Sequence, residues 1–182
     1  MASGPDLTHA VQFDLAQGAV RLEGDPAVLA PAKAFSALLN AAPADLRARI
    51  GGELGGSMGA RVETLLGGPK GVREASLEAV VSHLSAELAL GGLGTLAIER
   101  WGRALVFHLT GAPFEAPDFY ASLVAAAISR ATGTAAYSTV LSSKDGVRVL
   151  IASQAAAQRV RGWLDQGIAW GDAVARLQGG AS

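Results

Sequence analysis

The sequence predicts an α+β fold, an antiparallel sheet of hairpins with helices packed on it, and three observations lead to this expectation. Apolar and polar residues alternate in pairs of short segments around tight turns, at 11–22, 95–110 and 136–152. A stretch with helical apolar spacing follows each pair. Because antiparallel hairpins need no crossover, strands in this order pair locally and leave one face of the sheet to the helices.

The first hairpin is predicted between Val11 and Leu22, where Val11, Phe13 and Leu15 alternate with polar residues and Gly18 supplies the turn. We expect a helix directly after it, opened by Asp25 as a cap with Pro26 in the first turn. The apolar stripe of that helix would consist of Val28, Leu29, Ala32, Phe35, Leu38 and Leu39.

A second helix is predicted from Pro43 to Leu66, and one of its faces carries a row of glycines. Gly51, Gly55 and Gly59 recur every four residues, although each glycine costs a helix interior about 1 kcal/mol relative to alanine. We expect the flat surface to serve close backbone packing against another helix or the sheet. Two narrower interpretations are a seam between the two copies of a dimer and the wall of a ligand cavity.

Turn residues and apolar periodicity predict the remaining elements. The glycines at 67, 68 and 71 indicate a loop, the pair Trp101–Gly102 indicates a hairpin turn, and Ser153 is a helix cap. In chain order we expect a helix at 75–90, strands at 95–100 and 104–110, a helix at 118–131, strands at 136–142 and 147–152, and helices at 153–165 and 170–177.

A length of 182 residues suits one domain with a substantial core. We assign residues 11–166 to a single α+β domain, residues 1–10 to a flexible N-terminal arm, and residues 167–182 to a short C-terminal helix and tail.

The composition excludes several classes of function. Half of the residues are hydrophobic and 17% are charged, which argues against intrinsic disorder. The formal net charge of −1 gives no field that would attract nucleic acid. The most apolar window, 79–98, is interrupted by His83 and Glu87, so we expect no membrane span. With no secretory leader at the N-terminus, we expect a cytoplasmic protein, and the alanine- and glycine-rich composition suggests a bacterial one.

Few residues of this chain can carry chemistry. The sequence has no cysteine, which excludes thiol nucleophiles, disulfides and cysteine-bound zinc. His9, His83 and His108 are dispersed without metal-site spacing, and Glu87 is the one carboxylate at helical spacing from a core histidine. We therefore expect no catalytic residue, no bound metal and no cofactor, and a protein that is not an enzyme.

An apolar site is the alternative to a chemical one. The helix at 118–131 carries mainly small residues toward the strand at 104–110, which offers large ones. Two arrangements fit this pattern: a solid interdigitated core, or a cavity for a hydrophobic small molecule entered past Phe114 and Tyr120. The candidate pocket residues are Leu105, Phe107, Leu109, Phe114, Phe119, Tyr120 and Leu123.

The chain also has features of an oligomer. Its high apolar content and the glycine row predict a homo-oligomer, most simply a dimer, with Gly51, Gly55 and Gly59 at the interface. Trp101 at a hairpin tip is a further candidate contact, for a second copy or for another protein partner.

The order of these motifs resembles the four-vinyl reductase domain, a family with the TRAPP-like fold. The resemblance implies an α+β ligand-binding module. Metal-binding cysteines of many family members correspond here to residues such as Ser142, Val149 and Leu150, so neither metal binding nor reductase activity is carried over. The segments that carry the resemblance are Phe13–Val20, Val28–Pro31, Gly51–Gly55, Phe119–Ile128, Gly133 and Tyr137–Ile151 around Gly146.

A second set of segments is similar to the bacterial cellulose synthase D subunit, which implies a non-catalytic scaffold that forms rings. This chain has Gly92-Leu93-Gly94 where that family has Gly-Trp-Gly, and it adds a hairpin before and two helices after the similar region. The similar segments are Asp45–Gly51, Leu77–Leu84, Gly94–Trp101 and Phe107–Pro113. The sequence thus favours a non-catalytic binding module for a hydrophobic small molecule or a protein partner, with an oligomeric scaffold as the alternative.

Overall fold

Helices and antiparallel strands alternate along the chain in this computed structural model, which describes residues 9–102 and 104–179. The α+β fold class predicted from the sequence is confirmed. The elements are β1 (Val11–Asp14), β2 (Ala19–Leu22), β3 (Asp25–Ala27), α1 (Ala32–Ala41), α2 (Ala44–Leu65), α3 (Gly68–Glu74), α4 (Leu77–Leu90), β4 (Thr95–Trp101), β5 (Ala104–Thr110), α5 (Pro117–Thr132), β6 (Tyr137–Ser142), β7 (Val147–Ala152), α6 (Gln154–Asp165) and α7 (Trp170–Gly179).

The central sheet has four antiparallel strands in the order β4-β5-β7-β6, and helices cover both of its faces. Because side chains alternate along a strand, Phe107 and Leu109 of β5 join the core formed with α2, α4 and α5. Val106, which precedes Phe107 and faces the other side of the sheet, joins a second cluster with α6 and α7. Helix α7 buries Ala173 and Val174 completely in that second cluster. No helix among the described residues is long and apolar enough to cross a bilayer.

The glycine row of α2 lies directly on the backbone of α5. A Cβ atom added to Gly51, Gly55 or Gly59 would lie 2.2, 2.1 or 2.4 Å from the carbonyl oxygens of Phe119, Leu123 and Ala127, in that order. Each step of four residues along α2 is matched by a step of four residues along α5, so the two helices run in the same direction. The sequence predicted close backbone packing as the first use of this row, and the structure shows such packing within the chain. The dimer seam predicted at Gly51, Gly55 and Gly59 is corrected, because α5 of the same chain occupies that face.

Ion pairs hold the α2–α5 contact at both ends. Near the helix starts, the Arg47 Nε lies 2.8 Å from Oδ2 of Asp118. Near the helix ends, Arg130 of α5 pairs with Glu63 of α2. These pairs are partly exposed, so they fix the alignment of the two helices more than they stabilise the fold.

Two sequence predictions of local structure are wrong. Asp25 and Pro26 do not open a helix; they form β3, which pairs with β2, and an edge strand tolerates a proline because its outer side needs no backbone donor. The segment predicted as a glycine loop contains α3. Gly67, with a φ of 85°, ends α2 in the left-handed conformation, and Pro69 then lies in the first turn of the new helix.

The sheet of β1, β2 and β3 lies apart from the main core. Of the apolar stripe predicted for 28–39, Val28, Leu29 and Leu38 are exposed. Phe35 and Leu39 of the same stripe pack into the core. Arg61 connects the sheet to the core: one of its nitrogens lies 2.7 Å from the buried Glu87 carboxylate, and its Nε lies 3.5 Å from Glu23. The exposed side chains are Phe13, Leu15, Val28, Leu29 and Leu38. Residues 1–8 of the predicted N-terminal arm lie outside the described residues.

The glycine contact predicts opposite effects for two neighbouring substitutions. Gly55→Ala places a methyl group against the Leu123 carbonyl, so we expect a loss of about 3 kcal/mol in the free energy of unfolding. Gly56→Ala is the matched control, since nothing lies within 4 Å of its added Cβ; it should gain up to about 1 kcal/mol from helix propensity. Urea unfolding of the two variants measures both effects. Equal effects of the two changes would contradict the role given to the Gly55 face.

Candidate ligand site

The candidate pocket residues lie together in the core, and they fill the space that they enclose. Phe107, Leu109, Phe119, Tyr120 and Leu123 are each at most 1% exposed. Phe114 is also buried, and Leu105 is partly buried against the same cluster. The small gap bordered by Leu123 has no room for a water molecule. Of the two arrangements that fit the sequence, the described side chains adopt the interdigitated core.

Four aromatic rings form one end of this core, and we call them the aromatic cluster: Phe35, Phe114, Phe119 and Tyr120. The ring centroids of Phe35 and Phe114 are 5.2 Å apart, and those of Phe119 and Tyr120 are 5.0 Å apart in an edge-to-face arrangement. Phe114 is also stacked on Tyr120 at 6.3 Å. Such pairs stabilise one another beyond the area they bury. Phe35 comes from α1, and no long-range signal in the sequence placed it at the site.

The Tyr120 hydroxyl is the unusual group of the aromatic cluster. Tyr120 is 0% exposed, and its hydroxyl oxygen has no hydrogen-bond partner among the described residues. Burial raises the pKa of Tyr120 to about 12, and the backbone of Phe114 opposes part of this shift without reaching full hydrogen-bond geometry. An unpaired buried hydroxyl costs free energy. This oxygen can therefore gain more from a polar ligand atom than an exposed hydroxyl could.

A surface groove of about 490 Å³ lies beside the aromatic cluster. It is bordered by the loop that leads from β5 into α5 and by the turn between β6 and β7. Phe114 borders the groove and its ring also stacks on Tyr120, so this residue connects the groove with the aromatic cluster. The groove residues are Gly111, Ala112, Phe114, Glu115, Ala116, Pro117, Ser143, Gly146 and Val147.

The polar residues singled out from the sequence make structural contacts elsewhere. His108 lies between the Glu99 carboxylate, 3.1 Å from its Nδ1, and the Asp145 carbonyl, 2.9 Å from its Nε2. Arg148 donates two hydrogen bonds of 3.1 Å to Glu99 and holds the pKa of that carboxyl below its ordinary value. In α4, the His83 Nδ1 lies 2.9 Å from the carbonyl oxygen four residues earlier.

These residues do not converge on a reactive centre. Glu87 pairs with Arg61 rather than with His83. Within residues 9–102 and 104–179, no group of three or more histidine and acidic side chains is placed to hold a metal ion. Trp101 is 41% exposed, and its ring centroid lies 4.7 Å from that of Trp170 on α7.

Comparison with known proteins supports the fold. No family model and no curated protein sequence matches this chain, so the resemblances to the four-vinyl reductase domain and to the cellulose synthase component are not confirmed. A solved structure that is similar is the phenol-responsive sensory domain of the transcription activator PoxR with phenol. Its TM-score is 0.57 at 14% identity, and the match covers 94% of this chain and 93% of that one. The similarity to this regulatory domain extends over nearly the whole chain.

Replacing Tyr120 by phenylalanine should stabilise the protein. The change removes an unpaired buried hydroxyl and keeps the ring, so the free energy of unfolding should rise by about 1 kcal/mol. Because the folded pKa is raised above the ordinary 10.0, the parent protein should lose stability from this group as the pH rises from about 10 toward 12. Chemical unfolding at several pH values measures both effects.

The exposed tyrosine supplies the matched control for this experiment. Tyr137 is 41% exposed, so Tyr137→Phe should leave both the stability and its alkaline pH dependence unchanged. If Tyr120→Phe destabilises the protein, the Tyr120 hydroxyl has a partner in solution and the interpretation is incorrect.

Proposed function

We propose that this chain is a non-catalytic sensory module that binds a small, mostly apolar molecule carrying one hydroxyl group. The observation that carries the proposal is the buried Tyr120 hydroxyl, which lacks a partner among the described residues and belongs to a ring packed against Phe114 and Phe119. The fold similarity adds support, since the PoxR domain is described as phenol-responsive and its structure holds phenol. An aromatic alcohol has the shape and the single polar atom that this environment would accept.

Binding would begin in the groove beside Phe114. Rotation of the Phe114 side chain toward the groove would open a path to Tyr120, and the ligand ring would take the place of the Phe114 ring. Phe35 and Phe119 would then contact its faces and edges. The ligand hydroxyl would exchange a hydrogen bond with Tyr120. Since the core is otherwise filled, the ligand must be about as small as the ring that it displaces.

The chemistry of the aromatic cluster suits binding and not catalysis. Tyr120 is its one titratable member, and the raised pKa keeps that phenol protonated and uncharged at neutral pH. A neutral phenol can donate one hydrogen bond and accept another. It is a poor general base at a pH far below its pKa. We therefore propose a ligand-binding role of the kind that the vinyl-reductase resemblance implied, and no reductase activity.

We also propose that the chain forms a dimer, through the N-terminal sheet and α1 instead of the glycine row. Five large apolar side chains are exposed there, with Leu15 and Val28 each 89% exposed. A three-stranded sheet this short has little core of its own, and a second copy would cover it. A ring-forming scaffold would use the same apolar surface with a different symmetry.

Phenol is the probe that tests the ligand proposal. Isothermal calorimetry should detect phenol binding by the parent chain, and Tyr120→Phe should weaken it about tenfold by removing one buried hydrogen bond. Toluene, which has no hydroxyl, is the matched ligand control and should bind the two proteins equally. Phe114→Ala should strengthen phenol binding, because it removes the ring that the ligand would otherwise displace. The same change should lower thermal stability, because it leaves a cavity. No binding of phenol or toluene by the parent and by Phe114→Ala would reject the site.

Light scattering tests the dimer. At micromolar concentration the parent should show about twice the 18.4 kDa of the monomer. The double change Leu15→Ser and Leu38→Ser should shift it to the monomer, because both side chains lie on the exposed apolar surface. Leu65→Ser is the control, since Leu65 is 44% exposed at the end of α2 and lies outside that surface. A parent protein that scatters as a monomer would contradict the proposal.

A further inference from the structure

The outer edge of β6 lies at the bottom of a polar groove between two helices. β6 is the last strand of the central sheet, with α5 on one face of the sheet and α6 on the other. Residues from both helices and from the strand border a single groove of about 430 Å³. The groove residues are Ser122, Ala125, Ala126, Ser129, Ala136, Tyr137, Ser138, Thr139, Gln154, Ala157, Gln158 and Arg161.

The two edges of the central sheet differ in where a helix serine bonds to the backbone. At the β4 edge, α4 covers the strand, and the Ser85 hydroxyl accepts a 2.9 Å hydrogen bond from the backbone N–H of Leu96. At the β6 edge, the Ser129 hydroxyl of α5 accepts a 2.9 Å hydrogen bond from the backbone N–H of Ala136, directly before the strand. Within Tyr137–Val140, the described residues bond the strand backbone on the β7 side alone. Unpaired backbone groups at a sheet edge are a template for another strand.

The first four residues of the β6 edge lack the usual devices that prevent pairing. The strand Tyr137–Ser142 contains neither lysine nor proline, which commonly protect exposed edges. Its one irregularity is a shift of register between Val140 and Ser142. The regular segment Tyr137–Val140 therefore remains straight enough to pair, and at about 3.3 Å per residue it offers roughly 13 Å of edge.

The walls of the groove determine which side chains fit. The α5 wall is made of small residues, with Ala125 and Ala126 between two serines. The α6 wall carries two glutamines and Arg161 on one helical face, at spacings of four and three residues. Arg161 makes no ion pair with the described residues, and no carboxylate lines the groove. A partner with a negative charge on the α6 side would complement it.

We propose that β6 accepts an extended peptide segment of another protein as a fifth strand of the central sheet. The segment would alternate small apolar residues, facing α5, with polar residues, facing α6, and one carboxylate would pair with Arg161. A lone strand brings no helices of its own, whereas β6 of a second copy is flanked by its own α5 and α6. This inference does not depend on the proposed ligand site, which lies at the aromatic cluster.

The probe is the hexapeptide Ac-Val-Thr-Val-Glu-Val-Thr-NH2, which has the required alternation and a central carboxylate. Titration of the isotope-labelled full chain, followed by nuclear magnetic resonance, should give saturable shifts at Tyr137–Val140. Hydrogen exchange at the outward-facing amides of this segment should slow by about tenfold at saturation, because added-strand hydrogen bonds protect them. No shift at these residues with about 1 mM peptide would overturn the proposal.

Two controls separate strand addition from other kinds of binding. The first control is the same peptide with N-methyl groups at the alternate residues whose N–H groups would face β6. It keeps every side chain but cannot donate hydrogen bonds to the strand, so it should not bind. The second control compares two arginines. Arg161→Gln should lower the affinity for the unmodified peptide by a factor of about five, while Arg159→Gln should not change this affinity. Both arginines are exposed on α6, but Arg159 does not line the groove. Equal binding of the N-methylated and the unmodified peptide, or equal effects of the two arginine changes, would overturn the proposal.

Discussion

The contact between the glycine face of α2 and the backbone of α5 is the constraint on which the rest of the structure depends. Three carbonyl oxygens of α5 lie where side chains of α2 would otherwise be, so the two helices pack as close as their backbones allow. This contact fixes the position of α5, whose opposite side supplies the apolar cover of Phe107 and Leu109 on the sheet. If α5 moved outward by the width of one methyl group, the core beneath it would lose contacts along its whole length.

Helix α5 also positions both proposed binding regions. Its first turn holds Phe119 and Tyr120 in the aromatic cluster, and its flank with Ala125 and Ala126 forms one wall of the groove at β6. The two regions differ in chemistry. The aromatic cluster is buried and has a single unpaired oxygen, which suits a small molecule with one polar atom. The groove is open and carries polar side chains, and the edge strand β6 forms its base, which suits an extended peptide.

The two buried oxygens without a partner among the described residues have different significance. Glu87 Oε1 belongs to a carboxylate whose other oxygen accepts a 2.8 Å hydrogen bond from Arg61, so the charge of that group is balanced within the core. The Tyr120 hydroxyl has no full hydrogen bond among the described residues, and the backbone of Phe114 opposes only part of the effect of its burial on the pKa. For this reason Tyr120 supports the proposed ligand site, whereas Glu87 connects through Arg61 to Glu23 of the N-terminal sheet.

The sequence by itself determined the class of fold, most element boundaries after residue 75 and the buried character of the candidate pocket residues, because periodicity and turn residues are local signals. It could not decide what faced Gly51, Gly55 and Gly59, since the carbonyls of α5 lie 68 residues further along the chain in each pair. Local signals also misplaced β3 and α3, where a proline and two glycines fit more than one structure. Only the tertiary structure placed Phe35 beside Phe114 and Phe119 and put the edge of β6 between two helices. Both are juxtapositions of distant segments, and such contacts follow from packing the whole chain at once.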